Sequence, residues 1–422
     1  RRLRRVNASD NRIALQAGNG SFRNVTNAGQ ATVDVGNEKM NQPRGIVHDA
    51  VTGQVFVADS ANHRIRSISR FGEVSQAIGS GSLGGGSEEN EAPTNSTMNQ
   101  PRGLVLVGKT STFGGHLVWA DSQNHRVRIW NRSSAQATLF GVVVDAGMVA
   151  TIGGNGTSGT ATTGVALQAA FNEPSGVTSD GTSLYVSDRG NHCVKKIDST
   201  GTLSVAAGTC GASGNVNGAV GTARMTNPEG LAYYSSGGHT GLVIAATGNS
   251  RIRFTRFAGP TTLLFGTAIS VGDTNNVACG GTFHTEGVGA SLIPCSGIYD
   301  VATSGSKFCF TNSGYHNARC VESNGATNTI LGAVQGIDDS LALYFPVAPF
   351  SSVAYSASSP NYTSQNGVTS FFLPSPLVDA TSAPALNQEL GGLMFPRSIY
   401  LADDKTVYVS DFIGLLRKVK LP

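Results

Sequence analysis

The sequence predicts an all-β protein, a β-propeller built from four-stranded antiparallel blades, and three observations predict it. Glycine supplies 54 of the 422 residues, nearly twice the usual share of about 7%, while charged residues make up 14% against about 25%. A unit of strand, strand, tight turn, strand, strand recurs along the chain. The two chain ends also hold complementary parts of one such unit.

Composition excludes several classes. A formal charge of +3 and 39% hydrophobic residues do not fit a disordered chain. Few Glu, Lys and Arg exclude a long coiled coil. No run of about 18 apolar residues exists to span a membrane. The chain opens on Arg1 without a Met, consistent with a removed targeting peptide or a fragment. Arg1, Arg2, Arg4 and Arg5 make residues 1–9 a basic tip, expected to be solvated rather than bound to a polyanion.

The repeat sets the elements in order. Innermost strands open on N-Q-P-R-G-I-V (41–47), N-Q-P-R-G-L-V (99–105), N-E-P-S-G-V-T (172–178) and N-P-E-G-L-A (227–232). Each leads to an alternating apolar run and a polar turn: V-F-V-A-D-S-A-N-H-R-I-R (55–66), L-V-W-A-D-S-Q-N-H-R-V-R (117–128) and L-Y-V-S-D-R-G-N-H-C-V-K (184–195). Weaker copies occupy 243–253, 308–319 and 407–418. A further apolar stretch ending in glycine follows most copies, as at 74–79, 149–154 and 203–208.

The pattern resembles the NHL repeat, carried here by Asn62-His63, Asn124-His125 and Asn191-His192. The resemblance covers about residues 10–422 and implies one closed ring. Residues 395–420 supply three strands of a last blade, and R-I-A-L-Q-A-G-N-G (12–20) matches V-A-T-I-G-G-N-G (149–156). An N-terminal strand at 12–18 is therefore expected to complete the last blade and remove the open edges. Six regular blades are favoured, the usual number in the family it resembles. Segment 342–394 is either a degenerate seventh blade or part of an insertion, 333–394, on a six-bladed ring. The hallmark turn falls at Asp59, Asp121, Asp188, Thr247, Asn312 and Asp411.

Six cysteines form three local pairs: Cys193 with Cys210, Cys279 with Cys295, and Cys309 with Cys320. A hairpin closing over 312–317 would set Cys309 directly opposite Cys320, within disulfide reach. No CxxC spacing occurs, so disulfides in an oxidising, extracellular setting are expected rather than zinc. Sequons at Asn7, Asn19, Asn24, Asn95, Asn131, Asn155 and Asn361 permit a secreted glycoprotein, although chance would supply a similar number in so Asn-, Ser- and Thr-rich a chain.

Chemistry is harder to find. The recurring Asp is expected to fix its own turn through backbone N–H groups rather than to hold a metal. Arg64/Arg66, Arg126/Arg128 and Arg251/Arg253 alternate along strands and could line a basic face, but a net charge of +3 supplies little of the phosphate neutralisation that RNA binding draws on. His63, His125, His192 and His316 belong to the repeat turn, whereas His48, His116, His239 and His284 do not. A peptide-amidating lyase of NHL type holds zinc with channel histidines, and the resemblance raises that enzyme as the alternative. No spacing here brings three histidines together. No G-x-S-x-G elbow or phosphate loop is present. Trp119 and Trp130 read as core. Calcium at Glu88-Glu89 or Asp338-Asp339 would need more oxygen ligands than these pairs supply.

The combined expectation is a secreted or surface-exposed propeller that binds protein partners or assembles through loops, without a required cofactor. The loops favoured are 80–98, 267–292 and 333–394. In the last, Tyr344, Phe345, Phe350, Tyr355, Tyr362, Phe371 and Phe372 are the candidate contact residues, or else pack a degenerate blade.

Overall fold

Alternating apolar residues make strands whose two faces both need covering, and a closed ring of sheets covers them. The computed structural model describes residues 14–15, 40–70, 73–85, 89–259, 265, 270–279, 295–315, 317–332, 396–403, 406–411 and 416–420. Among them are six antiparallel sheets of four or five strands and one two-stranded hairpin. Their innermost strands are Pro43–His48, Pro101–Val107, Pro174–Ser179, Pro228–Ser236, Val301–Ser304 and Pro396–Asp403. Each packs on the next, and the last packs on the first.

The strands do not all conform to four per sheet. The third sheet gains an outer strand, Gly164–Val165, and the fourth gains Gly218–Ala219. The hairpin Ala137–Leu139 and Val142–Val144 stands between the last two strands of the second sheet. These additions lie on the ring's outside, where an edge strand has free N–H and C=O groups to pair. The sixth sheet contains Pro396–Asp403, Thr406–Asp411 and Leu416–Lys420, and Ala14–Leu15 completes it, with Ala14 opposite Lys418 and Leu15 opposite Arg417. Segment 333–394 and the basic tip lie outside the described residues.

The core consists of apolar wedges between successive sheets. Leu242 and Ile244 face the third sheet with Tyr185 and Val194, whereas Val243 and Ala245 face the fifth with Val301 and Phe308. Neighbouring residues of one strand thus serve two different interfaces, as strand geometry requires. Val57 meets Tyr408 between the first and sixth sheets, so the wedges also close the circle. Burying both faces leaves few strand positions for Lys or Glu, which accounts for the low charge.

Four of the hallmark turns are short 3-10 turns ending on a residue of positive φ: His63, His125, His192 and Ser250. Contrary to the expectation, the preceding acid caps no backbone N–H of its own turn and reaches upstream instead. Asp59 Oδ1 accepts the N–H of Asn41, Asp121 that of Asn99, and Asp188 that of Asn172, all at 2.7 Å. These donors lie 16–22 residues upstream, just before the innermost strand. The second oxygen accepts the side-chain amide of Asn62, Asn124 or Asn191. In the fourth sheet the aligned position is Ala246, not Thr247. There Asn249 takes over and accepts the Thr226 N–H at 2.7 Å.

The histidines tie neighbouring sheets together. His63 Nδ1 accepts the Gln100 N–H at 3.3 Å, while His125 accepts that of Glu173 and His192 that of Asn227, each at 3.2 Å. All three donors precede a proline and carry positive φ, a costly conformation held in place by the preceding blade. Hydroxyls add to this: Ser60 donates to the Pro101 carbonyl, and Ser410 donates to that of Pro43 across the ring closure.

The three expected disulfides are present: Cys193–Cys210, Cys279–Cys295 and Cys309–Cys320. Cys309 and Cys320 face each other in the hairpin that Asn312 and Asn317 close.

Candidate functional site at the mouth of the central channel

The innermost strands surround a channel, and the sequence controls how close they come. In P-R-G, P-R-G, P-S-G and P-E-G, the glycine faces the next strand's backbone. A Cβ on Gly45 would lie 2.1 Å from the Arg102 carbonyl oxygen, and one on Gly176 would lie 2.2 Å from that of Glu229. Gly45, Gly103, Gly176 and Gly230 thus form a tight girdle, continued by Asp300 and Ser398.

On one side of the girdle is a cavity of about 180 Å³ of mixed lining, with Ile46, Leu104, Val177 and Leu231 beside Lys109 and Thr303. On the other side is a polar mouth of about 30 Å³. The irregular register after each opening proline, as between Pro101 and Leu104, is a bulge, a device that re-aims side chains. The residue after the proline consequently reaches the mouth: Arg44, Arg102, Ser175, Glu229 and Arg397, joined by Tyr299.

The charges there are unequal. Glu229 receives Arg44 at 3.2 Å from across the ring and Arg189 at 3.0 Å, and Arg189 also binds Glu173. Arg397 lies over the Tyr299 ring, 3.7 Å from its centroid. Arg102 is 7% exposed, and its Nε and Nη1 are buried with no hydrogen-bond partner. Burial, and then Arg44, lower its pKa to about 10, leaving it cationic at neutral pH. Asp300 Oδ2 accepts the Ser398 hydroxyl at 2.6 Å and the Ile399 N–H at 3.0 Å. Burial nevertheless pushes its carboxyl up to about 7. Four guanidinium groups therefore face two carboxylates and a third acid that is readily protonated.

Several expected sites resolve differently. The arginine pairs do not form a basic face: Arg64, Arg66, Arg128 and Arg253 are buried. Arg66 pairs with Asp59 at 3.2 Å and Arg128 with Glu91 at 2.7 Å, while Arg253 donates to the carbonyls of Arg224, Val216 and Thr274. In the third sheet Lys195 takes the same position and reaches Asp188 at 2.6 Å. This cation, seven residues after the turn acid, escaped the sequence reading. It is visible in the repeat, but its burial depends on packing.

His48 stacks on Tyr408, whereas His116 and His239 are buried in separate sheets. His284 and His316 lie outside the described residues. Among the described residues no histidine lines the channel, and no three His, Cys, Asp or Glu gather as a metal site. Trp119 is core, while Trp130 is half-buried and donates to the Gly147 carbonyl. In segment 80–98, Glu89 accepts the Thr151 N–H and Glu91 holds Arg128.

Asn131 is a correction among the sequons. It is fully buried, and its amide donates to the carbonyls of Ala135, Val144 and Asp145, so a glycan cannot be carried there without breaking the hairpin. Asn95 and Asn155 are exposed, while Asn7, Asn19, Asn24 and Asn361 lie outside the described residues. So do the seven aromatic residues proposed for partner contact, the Asp338-Asp339 pair and the side chain of Asp411.

Sheets arranged as radial wedges around a narrow channel define the class, a β-propeller. The family model for the NHL repeat matches residues 40–66 and 171–197, so the first and third sheets of this β-propeller carry recognisable NHL repeats. It is 25% identical over 259 residues to the protein SUPPRESSOR OF QUENCHING 1, chloroplastic, of Arabidopsis thaliana, covering 60% of this chain and 22% of that protein. It is 26% identical over 151 residues to human NHL repeat-containing protein 2, covering 34% of this chain and 19% of that protein. The matches thus span about a fifth of either relative's length. A solved Bacteroides thetaiotaomicron protein of unknown function shares the fold at TM-score 0.55 and 11% identity, covering 97% of this chain and 75% of that one.

Proposed function

We propose that the chain is a six-bladed binding or assembly module of an oxidising, extracellular setting, presenting loops and outer edges from a rigid ring. Its three disulfides support the setting, because such bonds persist where thiols are not kept reduced. The observation that carries the module reading is the fate of the motif side chains. Among the described residues, Asp59, Asp121 and Asp188, their asparagines, and His63, His125 and His192 are engaged in holding strands and blades together. That leaves variation to the periphery. The outer additions to the second and third sheets present Val143, Val165 and Leu167 to solvent, at 52%, 55% and 39% exposure. Apolar groups on a free edge are suited to partner contact.

Cross-linking of the native assembly, followed by mass mapping, tests this. Cross-links to one partner should concentrate at 137–144, 164–168 and the 333–394 segment. Cross-links spread evenly over the ring, or stoichiometric zinc in purified protein, would overturn the module reading. Free thiols at Cys309 and Cys320 would overturn the compartment.

A further inference from the structure

We infer that the mouth of the channel is a binding site for one small oxyanion, a phosphate, a sulfate or a short carboxylate, received by Arg102. The inference does not rest on the module reading above. A charged group moved out of water without a counter-charge carries a penalty of several kcal/mol. Arg102 has no bonded counter-charge: it is 7% exposed, with Nε and Nη1 buried and unbonded, and Glu229 and Glu173 act on it only through space. The carboxylates nearby are already occupied, since Glu229 is shared by Arg44 and Arg189, and Glu173 is held by Arg189.

The fork of a guanidinium matches two oxygens of a carboxylate or phosphate. About 30 Å³ in the mouth accommodates roughly two waters, or one small oxyanion in their place. Ser175, which also lines the mouth, can donate a hydroxyl to the same ligand. The cationic excess is built by the fold, with Arg44, Arg102 and Arg397 coming from three innermost strands.

Isothermal titration calorimetry of the whole chain with inorganic phosphate, sulfate or acetate, each at constant ionic strength against chloride, tests the site. One equivalent of a saturable ligand is expected, with the order of the three ions distinguishing a tetrahedral from a carboxylate preference. Arg102→Leu should weaken binding at least about tenfold. It should keep or raise the unfolding midpoint without ligand, since it removes an uncompensated buried charge. Arg70→Gln, on the exposed turn of the first sheet, should leave binding unchanged. Absence of saturable binding for all three ions, equal binding by Arg102→Leu, or loss of binding in Arg70→Gln would overturn the assignment.

Discussion

The same motif acid carries different weight in different blades, and this can be measured. In the third sheet Asp188 accepts Asn172 and Asn191 at 2.7 Å and pairs with Lys195 at 2.6 Å, and both charged side chains are completely buried. Asp188→Ala therefore leaves the Lys195 ammonium with only the Ala170 carbonyl at 2.9 Å and the face of Phe171. Breaking a buried pair from one side costs about 3–5 kcal/mol. In the second sheet Asp121 accepts Asn99 at 2.7 Å and Asn124 at 2.9 Å, but Arg128 has its own partner in Glu91. Asp121→Ala should cost about 1–3 kcal/mol, the consequence of unsatisfied hydrogen bonds alone. The comparison is made by guanidinium unfolding followed through tryptophan fluorescence. Adding Lys195→Met to Asp188→Ala should recover much of the loss, since a buried pair replaced by apolar side chains is often tolerated. Equal costs at the two acids, or no recovery in the double variant, would refute the reasoning.

Other expectations follow from the same geometry. Gly176→Ala, whose Cβ would sit 2.2 Å from the Glu229 carbonyl, should lower stability by about 1–3 kcal/mol, while Gly85→Ala meets no atom within 4 Å and should be neutral in a thermal melt. Asp300 ionises near 7 in the folded chain and near 3.8 when unfolded, so its contribution drains away as pH rises from about 4 to 7. The stability difference between Asp300→Asn and the parent should accordingly shift in the variant's favour by about 2–3 kcal/mol between pH 5 and 8. Burial lowers the pKa of His63 and of His125, whose Nδ1 must stay unprotonated to accept its bond. Their stabilisation is complete above about 6.5 and is lost as pH falls below it, so His125→Phe should cost about 1 kcal/mol at pH 8 and flatten the acid limb of the unfolding midpoint.

Much of the ring was legible because its determinants are local. A turn acid, an asparagine three residues on and an apolar alternation lie within one hairpin, and so do Cys309 and Cys320. The closing strand was legible too, since the first residues copy the outer strand of another repeat, although only Ala14–Leu15 of the expected 12–18 lie in the described strand. Other features were not local. A histidine reads as a turn residue, yet its acceptor nitrogen serves the next blade, 35–48 residues away. Asn131 reads as a sequon and is an interior clamp.

The sequence by itself determined the repeated antiparallel unit, its disulfide pairs and the closure between chain ends, because hydrogen-bond register and side-chain alternation act over a few residues. Only the tertiary structure decided which charges meet. Arg44 and Glu229 are 185 positions apart and become neighbours because the ring returns on itself. Arg102 stays unmatched for the same reason: the channel brings one residue from each blade together, and their charges need not balance. The spacing along the chain carries no trace of that sum.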